Sequence, residues 1–148
     1  MQRLTLLSLG SINADFQMRV DEPLGSRETL IAHDLCRLSG GKASNTAYLA
    51  ARFGHRSRLL GRVGDDEVAG QALDPLRQAG VEVDGVGRAA GQSTGVSMIM
   101  VPPDAKKHIV LATNANDCWD EAAAQAMVAA IEGCEIPACL VVDYEIPA

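Results

Sequence analysis

Residues 40–64, GGKASNTAYLAARFGHRSRLLGRVG, constrain this chain more than any other stretch. A glycine pair and a lysine stand directly before an Ala-rich segment with the composition of a helix. Gly54 ends that segment, and residues 57–63 read as the next strand. Paired glycines let the backbone turn tightly and let a ligand come close to it. The free N–H groups of a helix start would face such a ligand. Lys42 adds a mobile positive charge, and Asn45 carries an amide in the first turn. Read locally, the same residues also suit a plain loop-to-helix joint, with Ser44 as the cap.

The rest of the chain reads as an α/β protein with a β excursion. Residues 4–9 are nearly all apolar, the pattern of a strand buried on both faces. Residues 10–15, GSINAD, follow it. Ligands of open α/β sheets bind at the carboxyl ends of the strands, so Asn13 and Asp15 stand where hydroxyl-binding groups are expected. A carboxylate accepts from two hydroxyls, and an amide donates and accepts. An Asx turn closing the strand is the other local reading. No G-x-G-x-x-G follows this strand, and the sequence has no G-x-x-x-x-G-K-[ST].

Residues 16–20 and 30–38 read as strands around a connection containing Pro23 and Gly25. Asp65 and Asp66 open a helix with Val68, Ala69, Ala72, Leu73, Leu76 and Ala79 on one face. Pro75 lies inside it as an expected kink, and Gly80 stops it. Residues 81–86 read as extended. Residues 94–101 and 108–113 read as two strands whose nearly unbroken apolar character predicts cover on both faces. A helix over residues 120–132 follows, with Ala124, Met127, Val128 and Ile131 as its apolar face. Ala138–Val142 reads as a further buried parallel strand, and its carboxyl end directs Glu145 toward the same site.

Composition narrows the function. Hydrophobic residues make up 47% of the 148 and aromatics only 3%, which predicts an aliphatic core and little capacity to stack nucleic-acid bases. A formal net charge of −6 argues against binding a phosphate backbone. No apolar run is long enough to span a membrane, and the first residues reach Asn and Asp too early for a signal peptide. The four cysteines form no C-x-x-C, which reads as free thiols in a reducing cytoplasm.

Taken in order, these segments resemble the ribokinase-like carbohydrate kinases, the PfkB family. The glycine pair, Asn45, Gly54, Gly61 and Gly64 carry the resemblance, with GSINAD, GDDEVAG (residues 64–70) and STGVSMIMV (residues 93–101). Family members often read GGKGAN where this chain has Ala43 and Ser44. The resemblance implies an open, mostly parallel sheet flanked by helices, with a small β-sheet lid. Residues 1–148 would be the N-terminal part of one domain, with lid segments at about 14–38 and 94–113. It implies ATP-dependent phosphoryl transfer to a primary hydroxyl of a ribose-like or other small sugar. A nucleoside kinase, or a non-catalytic sugar-binding or regulatory fragment, is the alternative.

By the same resemblance the sugar would be held by Asn13, Asp15, Gly40, Gly41, Lys42, Asn45 and Glu145, with Ser97, Ile99 and Leu111 lining the lid side. The cofactors would be ATP and Mg²⁺. The nearly continuous apolar run of residues 96–101 separately predicts a homodimer built through the lid strands. The family's catalytic Asp lies in a Gly-Ala-Gly-Asp segment of its C-terminal half, which this sequence does not contain. The resemblance therefore implies no catalytic residue and most of the nucleotide pocket outside these residues, and no activity of residues 1–148 alone.

Overall fold

A computed structural model describes residues 4–147; the ends of the expected unit 1–148 lie outside the described residues. The elements run β1 (Thr5–Leu9), β2 (Asn13–Val20), β3 (Ala32–Gly40), α1 (Lys42–Arg52), β4 (Arg56–Gly64), α2 (Val68–Gln78), β5 (Val86–Ala89), β6 (Gly95–Val101), β7 (His108–Ala112), a 3-10 turn (Asn114–Asp117), α3 (Glu121–Glu132) and β8 (Ala138–Val142).

Two four-stranded sheets result. The first has the order β5-β4-β1-β8 and is parallel throughout. Its two faces are read off consecutive residues of β4. Leu59 packs with Ala43, Ala47, Ala69, Leu73 and Leu76 of α1 and α2, whereas Leu60 packs with Leu7 and Met127 of α3. This is the period-2 alternation of a strand covered on both sides. The alanines of α1 let it lie close to the sheet. Buried Ser8 and Ser57 then donate to its carbonyls, Ser8 Oγ to Ala43 O at 2.9 Å and Ser57 Oγ to Ala47 O at 2.7 Å.

The second sheet has the order β3-β2-β6-β7; its central pair β2–β6 is parallel and the outer pairs are antiparallel. α2 carries it. Gln71 Nε2 donates to Asp15 O and Leu38 O, and Ser39 Oγ donates to Ala72 O. Asp66 ties the start of α2 to the entry of β6, accepting from Ala69 N, Thr94 N and Thr94 Oγ1. Burial pulls this carboxyl up, but the Thr94 bonds outweigh it and hold Asp66 below the ordinary aspartate range.

Several expectations need correction. The strand expected at residues 16–20 begins earlier, at Asn13, and the one expected at 30–38 runs on to Gly40. The extended segment expected at residues 81–86 makes only an isolated bridge, Arg58 with Glu82, and the strand proper is Val86–Ala89. α3 packs through Met127, Ala130 and Ile131, while Ala124 and Val128 face away. β8 is not buried: all five of its residues are exposed, and it is an edge strand that pairs only with β1 among the described residues. β7 is exposed along its whole length, so this chain does not itself cover both faces of the second sheet.

Candidate functional site

The main sheet changes direction beside β1: the next core strand, β4, lies on one side and β8 on the other. Crevices at such points hold ligands in open α/β sheets. Here the carboxyl ends of β1 and β8 meet the start of α1.

Gly41 caps α1 with φ 94° and ψ 145° and no side-chain hydrogen bond. That backbone suits glycine alone, and a Cβ there would lie 2.3 Å from Ser11 O. Ser44 is not the cap; it is fully buried and its Oγ has no partner. The first helical N–H is not free for a ligand either, since Lys42 N donates to Ser11 Oγ at 2.9 Å. Ser11 Oγ in turn donates to Glu145 Oε2 at 2.8 Å, and Lys42 Nζ pairs with Glu145 Oε1. The Lys42 contact holds the Glu145 carboxyl below its ordinary range, against the opposing pull of burial. Asn45 lies one turn on from Lys42, exposed to solvent.

The second sheet contributes a face. Residues opposite one another in a ladder project to the same side. Leu38, Asp15, Ser97 and Leu111 therefore form one row, Gly40, Asn13 and Gly95 the next, and Gln17, Ile99 and Ile109 another. The register thus puts Asn13, Asp15, Gly40, Ser97, Ile99 and Leu111 on one face. Asp15 rests on Gly40, where a Cβ would come within 2.3 Å of its carboxylate. Burial pushes the Asp15 carboxyl up, with the Ser97 hydroxyl and the Lys107 charge pulling it back. Its Oδ1 is buried and has no partner in the chain. A buried acceptor with no donor is costly unless a ligand supplies one.

Three participants were missed by the sequence reading. Asp143 Oδ2 accepts from Ser11 N at 2.9 Å and packs on Gly10; Asp143 Oδ1 accepts from Glu145 N at 2.9 Å. The carboxyl-end rule that singled out Glu145 applies equally to Asp143. Ser11 lies within GSINAD and joins both strand ends to α1. Asn116, 1% exposed, accepts from Ile12 N at 2.9 Å and donates to Ile12 O and Asn13 Oδ1 at 3.2 and 2.8 Å. It lies more than a hundred positions from its partners, and no local pattern marks it.

The pfkB family carbohydrate kinases match residues 3–143. This chain belongs to that family. The ribokinase of Schizosaccharomyces pombe is 33% identical over 97% of this chain and 46% of its own length. A crystal structure of ribokinase from Cryptococcus neoformans in complex with ADP matches 99% of this chain and 43% of that one, with a TM-score of 0.74 and 26% identity. The structure of Arabidopsis thaliana ribokinase complexed with ribose and ATP shares the fold over 99% of this chain and 47% of that one, with a TM-score of 0.76 at 23% identity. This pfkB-family chain spans about half the length of the relatives it matches.

Proposed function

We propose that the chain supplies the sugar-binding half and lid of an ATP-dependent sugar kinase. The acceptor is a primary hydroxyl of ribose or a similar small sugar. The observation that carries this reading is the Asp15 carboxylate, half-buried against Gly40 with its Oδ1 unpartnered in the chain. An ionised carboxylate takes two sugar hydroxyls at once, and the amide of Asn13 orients a third. Gly40 lets the Asp15 carboxylate, and Gly41 the Ser11 carbonyl, lie directly on the backbone beside the site, and Lys42, Asn45 and Glu145 close the opposite wall. Ser97, Ile99 and Leu111 cover the sugar from the second sheet, which acts as the lid. Membership of a carbohydrate kinase family and similarity to ribokinases support this assignment.

The residues present do not fit the nucleotide. The sequence has no Gly-Ala-Gly-Asp segment and no Walker-type loop. Among the described residues no cluster of His, Cys, Asp and Glu could hold a metal ion. The reading places most of the nucleotide site, with Mg²⁺, outside these residues, and the chain alone is expected to bind sugar without phosphorylating it. A nucleoside is the weaker acceptor. Phe16 packs against the core and is not free to stack on a base, which leaves Tyr48 as the exposed ring of α1. The parent enzyme works in the cytoplasm, and its lid strands pair two subunits. No described helix is long and apolar enough to cross a membrane.

The test is a ligand titration followed by backbone NMR. Ribose is expected to shift Asn13, Asp15, Lys42 and Ser97 together, and adenosine is not. Shifts with adenosine alone would favour the nucleoside. Shifts confined to other residues would remove this cleft from the sugar site.

A further inference from the structure

A second cavity, of about 480 Å³, lies between α3 and the β4–β5 edge of the main sheet. It shares no residue with the cleft described above. Gly61, Gly85 and Gly87 line its floor, and its roof is the alanine-rich side of α3 around Ala126 and Met127. Three guanidinium groups, Arg58, Arg62 and Arg88, line it with two carboxylates, Asp84 and Asp120. This leaves one positive charge in excess.

The arginines are poorly matched by the chain itself. Arg62 is 9% exposed, and its Nε is buried without an acceptor. Its other contacts are Nη2 donating to Arg88 O at 2.9 Å and Nη1 at 3.8 Å from Asp120, beyond hydrogen-bond length. Arg58 Nε is also buried and lies 3.4 Å from Glu82 Oε2 outside hydrogen-bond geometry, while its Nη2 is 3.7 Å from Asp84. Glu82 is engaged by Arg56 through both oxygens, at 2.7 and 3.2 Å. Arg88 is partly used, donating to Gly64 O at 2.8 Å. Buried N–H donors left without acceptors favour an oxyanion, whose geometry a guanidinium fork matches.

The apolar part of the cavity fixes the rest of the ligand. Trp119 forms one wall with Arg62 stacked 5.9 Å from its ring centre, and its indole N–H is held by Asn116 O at 2.8 Å. A rigid indole beside small alanine side chains accepts a flat apolar body. Trp119 also stands two hydrogen bonds from Asn13, through Asn116.

We propose that this cavity binds a small organic oxyanion: a phosphate or carboxylate set against Arg58 and Arg62, carried on a flat apolar ring against Trp119. Trp119 is the chain's single tryptophan, so its fluorescence reports on the site directly. The 148-residue chain is titrated with phenyl phosphate, benzoate, inorganic phosphate and phenol. Saturable change is expected with phenyl phosphate or benzoate, and which of the two binds tighter identifies the anionic group. Inorganic phosphate and phenol are each expected to bind at least tenfold more weakly than that ligand. Arg58→Gln is expected to weaken it at least tenfold, and so is Ala126→Phe, which fills the cavity from an exposed helix position. Inorganic phosphate or phenol binding as tightly as the ring-bearing anions would overturn the ligand class. No saturable change, or affinity unaltered in either variant, would overturn the site.

Discussion

Gly41 and Asp15 are held in place by opposite means. Gly41 sits where no side chain fits: φ is positive and a Cβ would press on Ser11 O. Gly41→Ala is expected to lower stability by about 1–3 kcal/mol, as backbone strain of this kind does; an unchanged urea midpoint would show that the helix start relaxes. Asp15 is held by burial, which raises its pKa in the folded chain. The folded state therefore keeps its proton to higher pH than the unfolded chain does. Between the ordinary aspartate value and the raised one, folding stability falls as pH rises. Sugar binding runs the other way, because it needs the carboxylate. Ribose affinity is expected to weaken on acidification while exposed aspartates are still ionised, and Asp15→Asn should abolish that pH dependence; a retained dependence would assign it to another group. Glu145 has the reverse sign. Its lowered pKa gives stability that is present above the ordinary glutamate value and lost as pH falls through the folded value.

Asn116 joins elements that are remote in sequence, fastening the 3-10 turn after β7 to the start of β2. Asn116→Ala leaves Ile12 N–H and Asn13 Oδ1 without their partners. Each buried orphan costs about 1–3 kcal/mol, so a clear fall in the unfolding midpoint is expected, together with weaker ribose binding because Asn13 loses its anchor. Normal stability with normal binding would make the link incidental. The elements themselves were largely legible. Apolar runs and glycine stops placed β1, β4, α1 and β8 within a residue or two, because such signals are local. Burial was not legible for β8 and β7, since it depends on what lies across the sheet. α3 shows the same limit: Met127 and Ile131 of its expected stripe pack inward, but Ala124 and Val128 do not, and only the packing against Leu7 and Leu60 fixes which residues face inward. In the site, the sequence pointed to polar residues near the strand ends, and the fold brings Asn13, Asp15 and Gly40 onto one face. The sequence could not supply the register that lines Asp15 up with Ser97 and Leu111.

Among the described residues, apolar side chains stand exposed on β8, where Leu140, Val141 and Val142 are 36–47% exposed, and on the second sheet, where Met98 and Val110, 43% and 64% exposed, share the face opposite Asp15 and Leu111. Exposed apolar strands of this kind invite pairing. The second sheet is expected to form the contact of a homodimer, and Val110→Lys should shift sedimentation toward monomer; a wild-type chain that sediments only as monomer at micromolar concentration would count against it. Sugar binding is the property on which the functional reading stands. Calorimetric titration of ribose into the wild-type chain and into Asp15→Asn, at a pH where the carboxylate is ionised, tests it most directly. The predicted result is saturable binding that weakens at least tenfold in the variant, about 1.4 kcal/mol. Equal affinities, or no ribose binding by a folded wild-type chain, would contradict it.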